Sequence, residues 1–317
     1  MARRSLLSLL QQFHAAKMPR EVWTHEAHLR VASALVWLYG HDAGLIAIRD
    51  GIKALNASFG GSPDAYHETV TRAFVALIHS SLSQLPLDLP VEEAVLRAVS
   101  ELKREKGILE RHYDRETLES RAAHDMWLPP NRIPLPVPTT RAFEVRMARA
   151  EEGAHAADVV HEVYDEYGFT WEEDGYHTDL YHLGDAYLRA GGAFFVAVEA
   201  ASSGLVGTAA LRRFECVPAG DNVHIVDDVV RVAGADCSLE RLYVRKGARQ
   251  AGLGRALLQR TIDSAAARGA SRLEIWSDKR FVEAHRLYER LGALPVGERI
   301  CDDPDRSREW GLQIQLS

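Results

Sequence analysis

The sequence predicts an α+β protein of two domains, an all-α helical bundle followed by a mixed α/β domain. Three observations lead there. Up to about residue 126 apolar residues recur at intervals of three and four, the period of a helix with one buried face. Five prolines then crowd into ten residues, at Pro129, Pro130, Pro134, Pro136 and Pro138. Such a run continues neither a helix nor a central strand. Beyond it, strand-like apolar runs alternate with amphipathic helical ones. A length of 317 residues suits two domains, each long enough to bury a core.

In the first half, His25, His28, Leu29, Ala32, Leu35, Val36 and Tyr39 share one helical face. The stretch DAGLIAIRDGIKALN continues the pattern and stops near FGG. Residues 66–78 repeat it, with His67, Val70, Thr71 and Phe74 aligned. VEEAVLRAVSELKREKG is a further amphipathic helix ending at Gly107, and DRETLESRAAHDM the last. The expected organisation is a bundle over residues 1–128, a stiff proline-rich linker over 129–140 and the second domain over 141–317.

Composition narrows the function. Apolar residues are 46% and charged residues 26% of the chain, a globular balance. The net charge of −7 is confined to the second half, and no basic tract or stripe marks a nucleic-acid partner. An acidic second half mildly favours a cationic small substrate, although solubility explains it equally well. Cys216, Cys237 and Cys301 are odd in number and lack metal-ligand spacing, which reads as reduced thiols in the cytoplasm. The opening MARRSLLSLLQQFH stops being apolar too soon for a signal peptide, and no stretch is long and apolar enough to span a membrane. The oligomeric state stays open, a homodimer included.

In the second half, AFEVRMA reads as a strand, AHAADVVHEVYDEY and YHTDLYHLGDAYLRAGG as helices, and AFFVAVEA and LVGTAALRRFE as strands around the turn ASSG. CSLERLYV is a strand, followed by a glycine turn and a helix over residues 253–268. SRLEIWS is a strand, residues 280–291 a helix and WGLQIQL a final strand.

The glycine turn, RQAGLGRALL, is the chemical signal. It has no Gly-Lys-Ser/Thr for a Walker loop, and Leu257 stands where a dinucleotide fingerprint needs its third glycine. Arg-x-x-Gly-x-Gly remains, met by Arg249, Gly252 and Gly254. Without Cβ atoms the backbone can approach a phosphate, the N–H groups opening the next helix favour an anion, and Arg249 and Arg255 add charge. Unless it is a plain glycine-rich connection, this turn binds phosphate.

This turn resembles the pyrophosphate loop of the GNAT superfamily of N-acetyltransferases. RFVEAHRLYERLGA, one helix and one strand further on, resembles the family's fourth-helix signature, although Ala293 stands where many relatives have an aromatic. The resemblance covers roughly residues 143–316. It implies an acetyl-CoA-dependent transfer by direct attack in a ternary complex, with the pantetheine arm between the splayed strands LERLYV and RLEIWS. The implied cofactor contacts are Leu242, Val244, Arg249, Gln250, Gly252, Leu253, Gly254 and Arg255. Tyr288, facing inward beside Phe281, Ala284 and Leu291, takes the place of the family's acid for the departing thiolate, or is a core aromatic. Glu240 alternates with Leu242 and Val244 on one strand face and takes the place of a general base, or is a solvated strand-end carboxylate. Trp171, Tyr176, His177 and Asp278 are candidate contacts to a small-molecule amine acceptor. The rival reading is an acyl-CoA sensor that regulates the helical domain without catalysis.

The first domain carries its own signal. His25 and His28 share a helical face that points inward, and His67 sits on a second inward stripe. Three buried imidazoles from two helices would bind zinc or iron and make the protein bifunctional, or would bond to backbone and to one another. WTHEAHLRVA, AYHETVT and LPPNRIPLP resemble an uncharacterised bacterial helical domain with the same HxxH and YHET pieces.

Overall fold

A computed structural model describes residues 5–61, 65–104, 107–220 and 222–316. The chain divides into two compact units, residues 1–141 and 142–317.

The first unit is helical: α1 (Leu6–His14), α2 (His25–Tyr39), α3 (His41–Ser58), α4 (Glu68–Leu82), α5 (Val91–Leu102) and three single-turn helices, α6 (Ile108–His112), α7 (Arg115–Glu119) and α8 (Arg121–Asp125). The central helix is α2, packed against α1, α3, α4 and α5. It starts where the Thr24 hydroxyl accepts from the Ala27 N–H. Leu29, Leu35, Val36 and Leu38 are buried along it. The predicted final helix is two turns broken at Ser120, because Asp114 and Ser120 each cap a new start. The predicted extension of α5 to Gly107 stops at Leu102, and residues 105 and 106 lie outside the described ones. Helix α1 was not predicted.

The YHET stretch is a structural joint. His67 is the cap of α4 and not a residue of its inward stripe. Its Nδ1 accepts from the Val70 N–H at 3.2 Å, which leaves Nε2 to donate to the Leu118 carbonyl at 3.0 Å. Tyr66 donates to Glu68 at 2.8 Å, and Arg49 of α3 grips the same carboxylate. The Thr69 hydroxyl, 0% exposed, donates to the Met126 carbonyl at 2.6 Å and accepts from the Leu128 N–H at 3.0 Å. After the proline stretch, Arg141 donates to the carbonyls of Leu82 and Ser83 at 2.6 Å, and to that of Leu85, closing the C-terminal end of α4.

The second unit is a seven-stranded sheet in the order β1-β2-β3-β6-β7-β9-β8, with a separate β4–β5 hairpin. The strands are β1 (Phe143–Met147), β2 (Ala193–Glu199), β3 (Leu205–Arg213), β4 (Val223–Val226), β5 (Val229–Val232), β6 (Cys237–Val244), β7 (Arg272–Asp278), β8 (Leu294–Ile300) and β9 (Arg308–Gln315). The helices are α9 (Gly153–Tyr167), α10 (Thr178–Tyr181), α11 (Leu253–Ala267) and α12 (Val282–Arg290). The predicted helix through YHTDLYHLGDAYLRAGG is α10 and a π turn over Gly184–Leu188. Ala156, Val160 and Tyr164 of α9 pack with Leu180, Tyr187, Phe194 and Val196 into one core. Every neighbouring pair in the seven-stranded sheet is antiparallel except β6 and β7.

Two outcomes test this account of the first unit. Thr69→Val removes the partner of two buried backbone groups and is expected to cost about 1–3 kcal/mol in chemical denaturation. His28 and His79 each have a pKa lowered from 6.5 to about 4, chiefly by burial. Both are neutral in the folded chain at pH values where the unfolded chain protonates them. Their contribution is complete above pH 6.5 and declines as the pH falls toward about 4, so the denaturation midpoint of residues 1–141 should drop between pH 7.5 and 5.

Candidate active site

The site begins where the only parallel pair of the sheet comes apart. β6 and β7 match at Cys237–Leu273, Ser238–Glu274 and Leu239–Ile275, and no further. β6 continues to Val244 on the arm of β3, and β7 continues to Asp278 on the arm of β9. Each strand is therefore held on its far side and open on the side facing the other. The gap belongs to a cleft of about 530 Å³. Glu240, Leu242, Val244, Arg249, Gln250, Gly252, Leu253, Gly254, Arg255, Tyr176, Asp278 and Tyr288 all line it.

The parting follows a bulge. Ala210 of β3 faces Glu240, and Thr208 faces Tyr243, so β6 has one residue more than its partner. Arg241 takes the left-handed conformation there, with φ of 53°. The strict alternation expected of Glu240, Leu242 and Val244 is therefore interrupted between the first and second of them. Arg241 is held at the bulge by Asp179, which it meets at 2.7 and 3.0 Å, and by the Tyr176 carbonyl at 2.7 Å. The Tyr187 hydroxyl stands between Asp179 and Glu240, 3.1 Å from the second, and its one proton serves either carboxylate. Glu240 also accepts from Arg212 at 2.9 Å and from Ser238 at 2.8 Å. It is thus a member of a half-buried charge network and not a solvated strand end. Arg241 and Asp179 were not anticipated: the single signal was a charge inside the apolar run LERLYV, and its partner lies 62 residues away.

At the mouth of the gap stands the glycine turn. Gly252, with φ of 78°, is the residue from which α11 starts, and a Cβ built on it would meet nothing within 4 Å. Gln250 is also left-handed, with φ of 67°. The first N–H bonded within the helix is that of Ala256, to the Gly252 carbonyl at 3.0 Å. The N–H groups of Leu253, Gly254 and Arg255 come before it, where an α-helix supplies no partner of its own. A diphosphate fits this cradle by shape and by charge. Arg249 has a different duty from the one expected. It is bound at both guanidinium tips to Glu166, at 2.6 and 2.8 Å, and donates to the Val244 carbonyl at 3.0 Å. One helical turn earlier on α9, Glu162 meets Arg245 at 3.4 Å. These two pairs fasten the turn to α9.

Tyr288 is 4% exposed and lines the cleft together with Ser277. Burial pushes its hydroxyl up to about 12, so the phenol keeps its proton at neutral pH. Ser277 in turn is 3.2 Å from Nε2 of His285.

The four expected acceptor contacts divide. Tyr176 and Asp278 line the cleft, but Trp171 and His177 do not. His177 is 0% exposed and stacked on Trp171 with ring centroids 3.9 Å apart, and His161 covers the other face of Trp171 at 4.4 Å. Burial lowers the pKa of His177 to about 4. These rings build the floor of the segment that carries Tyr176. Glu309 and Asp303, which no motif marks, also reach the cleft from β9 and the loop before it. Burial raises the pKa of Glu309, with the nearby Arg299 guanidinium acting against it.

The metal expectation finds no support. Among the described residues no group of three His, Cys, Asp or Glu side chains is placed to hold an ion. His67 spends both ring nitrogens on backbone groups. His25 is exposed and lies beside Phe74, and His28 packs against Trp23 with the two rings tilted by 46°.

A sheet opened between two parallel strands, with an anion cradle at its mouth and a buried phenol beside the gap, defines an acyl-CoA-dependent transferase. Residues 157–293 match the model of the Acetyltransferase (GNAT) family, and the second unit carries a GNAT acetyltransferase domain. Similar solved structures include an acetyltransferase of the GNAT family from Staphylococcus aureus (18% identity, 56% of this chain and 100% of that one, TM-score 0.43). A putative acetyltransferase, YncA, from Salmonella typhimurium with its cofactor acetyl-CoA shares 20% identity over 56% of this chain and 95% of its own, with a TM-score of 0.41. Ard1 from Thermoplasma volcanium shares 12% over 56% and 99%, with a TM-score of 0.42. Comparison with curated proteins gives no match. No helix among the described residues is long and apolar enough to cross a membrane.

Gly252→Val tests the cradle. A β-branched residue is strained at φ of 78° and fills the space the backbone leaves open. Calorimetry should show acetyl-CoA affinity lowered by at least about tenfold, equivalent to about 1.4 kcal/mol.

Proposed function

We propose that this protein transfers an acetyl group from acetyl-CoA to the amine of a small molecule. The observation that carries this reading is the continuity of one cleft from the glycine cradle, past the unpaired edge of β6, to Tyr288 and the carboxylates beyond. Bound there, the cofactor supplies a thioester carbonyl open to attack. The chain's own groups do the rest. The N–H groups at the start of α11 hold phosphate oxygens. The open edge of β6 offers backbone donors and acceptors to an amide-bearing arm, and an N–H beside the bulge polarises the carbonyl.

Two proton steps remain. In this reading Glu240 takes the proton that the amine sheds, through water where needed, because it borders the cleft beside the bulge. Arg212, Ser238 and Tyr187 fix the orientation of its carboxylate. Tyr288 gives its proton to the departing sulfur, and its raised pKa keeps that proton available across the neutral range.

A small acceptor is favoured by the closure of the far end. Asp305 accepts from both the N–H and the hydroxyl of Thr170 at 2.8 Å, strapping the loop after β8 to the segment after α9. Next to that strap, Phe169, Phe281, Asp303 and Glu309 line the cleft. Aromatic faces and carboxylates favour an ammonium that is desolvated before it reacts.

Tyr288→Phe and Glu240→Gln separate catalysis from simple binding of acyl-CoA. With acetyl-CoA and an amine panel, each is expected to lower kcat by about 10²-fold or more while leaving acetyl-CoA affinity within about twofold. Unchanged turnover in both would remove the two roles assigned here, and no turnover by the wild type with any amine would assign the unit to sensing. Because Tyr288 must stay protonated and its pKa stands near about 12, kcat should show no loss from this group as the pH rises through 9.

A further inference from the structure

The Tyr187 hydroxyl is shared by two carboxylates, and its single proton cannot serve both at once. Tyr187 lies in the π turn over Gly184–Leu188, a rare element that recurs at functional sites. Its ring is 0% exposed, packed on Phe194 with centroids 5.4 Å apart and covered by the Arg212 guanidinium at 4.6 Å. The ring is therefore fixed, and the hydrogen of its hydroxyl is left free to turn.

The charges around it are paired. Arg241 meets Asp179 at 2.7 and 3.0 Å, and Arg212 meets both oxygens of Glu240 at 2.9 Å. Ser238 adds a donor to Glu240 at 2.8 Å. On β7, Glu274 stands opposite Ser238 and is closed by Arg231 at 2.6 Å and the Val232 N–H at 2.7 Å. From α9 the titratable group in this core is Tyr164, whose phenol burial pushes up. Across the cleft, Asp278 is held by Arg280 and Glu309 by Arg299, with Asp303 beside them.

Two members of the junction keep one charge state. Burial, with Glu240 beside it, pushes the Tyr187 phenol well up, so it keeps its proton. Burial acts to raise Asp179, but Arg241 and Tyr187 outweigh it and hold the carboxyl below its usual range. The proton count then closes in two ways. With Glu240 charged, the Tyr187 hydroxyl donates to it, and Asp179 keeps its two bonds from Arg241. With Glu240 protonated, its own O–H donates to the Tyr187 oxygen, and the hydroxyl hydrogen turns to Asp179. In neither state is a donor or acceptor of the junction orphaned, and no heavy atom has to move.

We propose that Tyr187 is a positioning residue for the base: its hydroxyl turns between Asp179 and Glu240 as Glu240 gains and loses the proton of the amine, and so sets the pH above which the base works. The inference rests on the reading of Glu240 as that base. In the step itself an N–H bond of the amine breaks, an O–H bond forms on Glu240, and Tyr187 keeps its own proton throughout.

The test is the pH profile of kcat/KM, measured on the full-length protein with acetyl-CoA and one amine. The amine's own titration is common to every variant and cancels in the comparison. Tyr187→Phe keeps the ring and removes a donor from the charged form of Glu240. Its acid limb is expected about one pH unit above that of the wild type, a roughly tenfold loss below the limb, with the plateau within about threefold. Asp179→Asn removes the competing charge and leaves the Tyr187 proton to Glu240, so its limb is expected below that of the wild type. The position of that second limb decides alone if Tyr187→Phe does not fold. An unmoved limb in either variant overturns the proposal. So does an equal loss at every pH in Tyr187→Phe, which is what a purely structural role would give. Glu240→Gln separates this from the reading beneath it. Turnover and acid limb both retained in Glu240→Gln overturn the base assignment; turnover lost there, with the limb unmoved in Tyr187→Phe, overturns the role of Tyr187 alone.

Discussion

The active-site half of this protein depends on one constraint: β6 and β7 must be neighbours at one end and separate at the other. Three matched residues set them side by side, and then each strand follows its antiparallel partner away. The extra residue at Arg241 marks the point of departure. A non-glycine residue in the left-handed region is strained, and such strain persists only where surrounding contacts over-determine it. Here the contacts are those between Arg241 and Asp179, reinforced through Tyr187 to Glu240 and Arg212. A buried ion pair of this kind contributes little net stability, because desolvating both charges offsets their attraction. Its value lies in fixing one backbone geometry. The same network that opens the sheet also aims a carboxylate at the opening.

The glycine cradle is positioned by a second set of charges. Glu162 and Glu166 stand one turn apart on α9 and hold Arg245 and Arg249 at the two ends of the segment that leads into the turn. Arginine in a phosphate-binding motif is readily assumed to touch phosphate. In this fold Arg249 sets the loop's shape through Glu166 and the Val244 carbonyl, and the N–H groups that open α11 are the donors the turn presents to the cleft.

What the sequence disclosed, and what it concealed, follows from the range of the interactions. The helices of the first unit were legible because Thr24 and an unbroken apolar period announce α2 locally. The cradle was legible because glycine has few reasons to occur twice at a strand-to-helix junction. His67 was misplaced because a cap and a helical residue have the same spacing to Val70 and Thr71, and only the backbone angles differ. β8 was missed because it is a half-exposed edge strand interrupted by Pro295 and Gly297. Trp171 and His177 were assigned to the acceptor because aromatic and polar residues look alike whether they line a pocket or support it. The pairing of Arg249 with Glu166 spans 83 residues and is a property of the folded sheet. Local patterns therefore gave the elements and the glycine turn, and the charge networks around Arg241 and Arg249 came only with the tertiary structure.

Arg141 has a bearing on how this chain can be divided. Its guanidinium closes three carbonyls at the end of α4, although it lies nearly sixty residues further along and beyond every proline. A fragment cut at the prolines, where composition invites the cut, would expose the end of α4 to water. Dissection of the two units is therefore cleanest after residue 141, with Arg141 kept on the helical side.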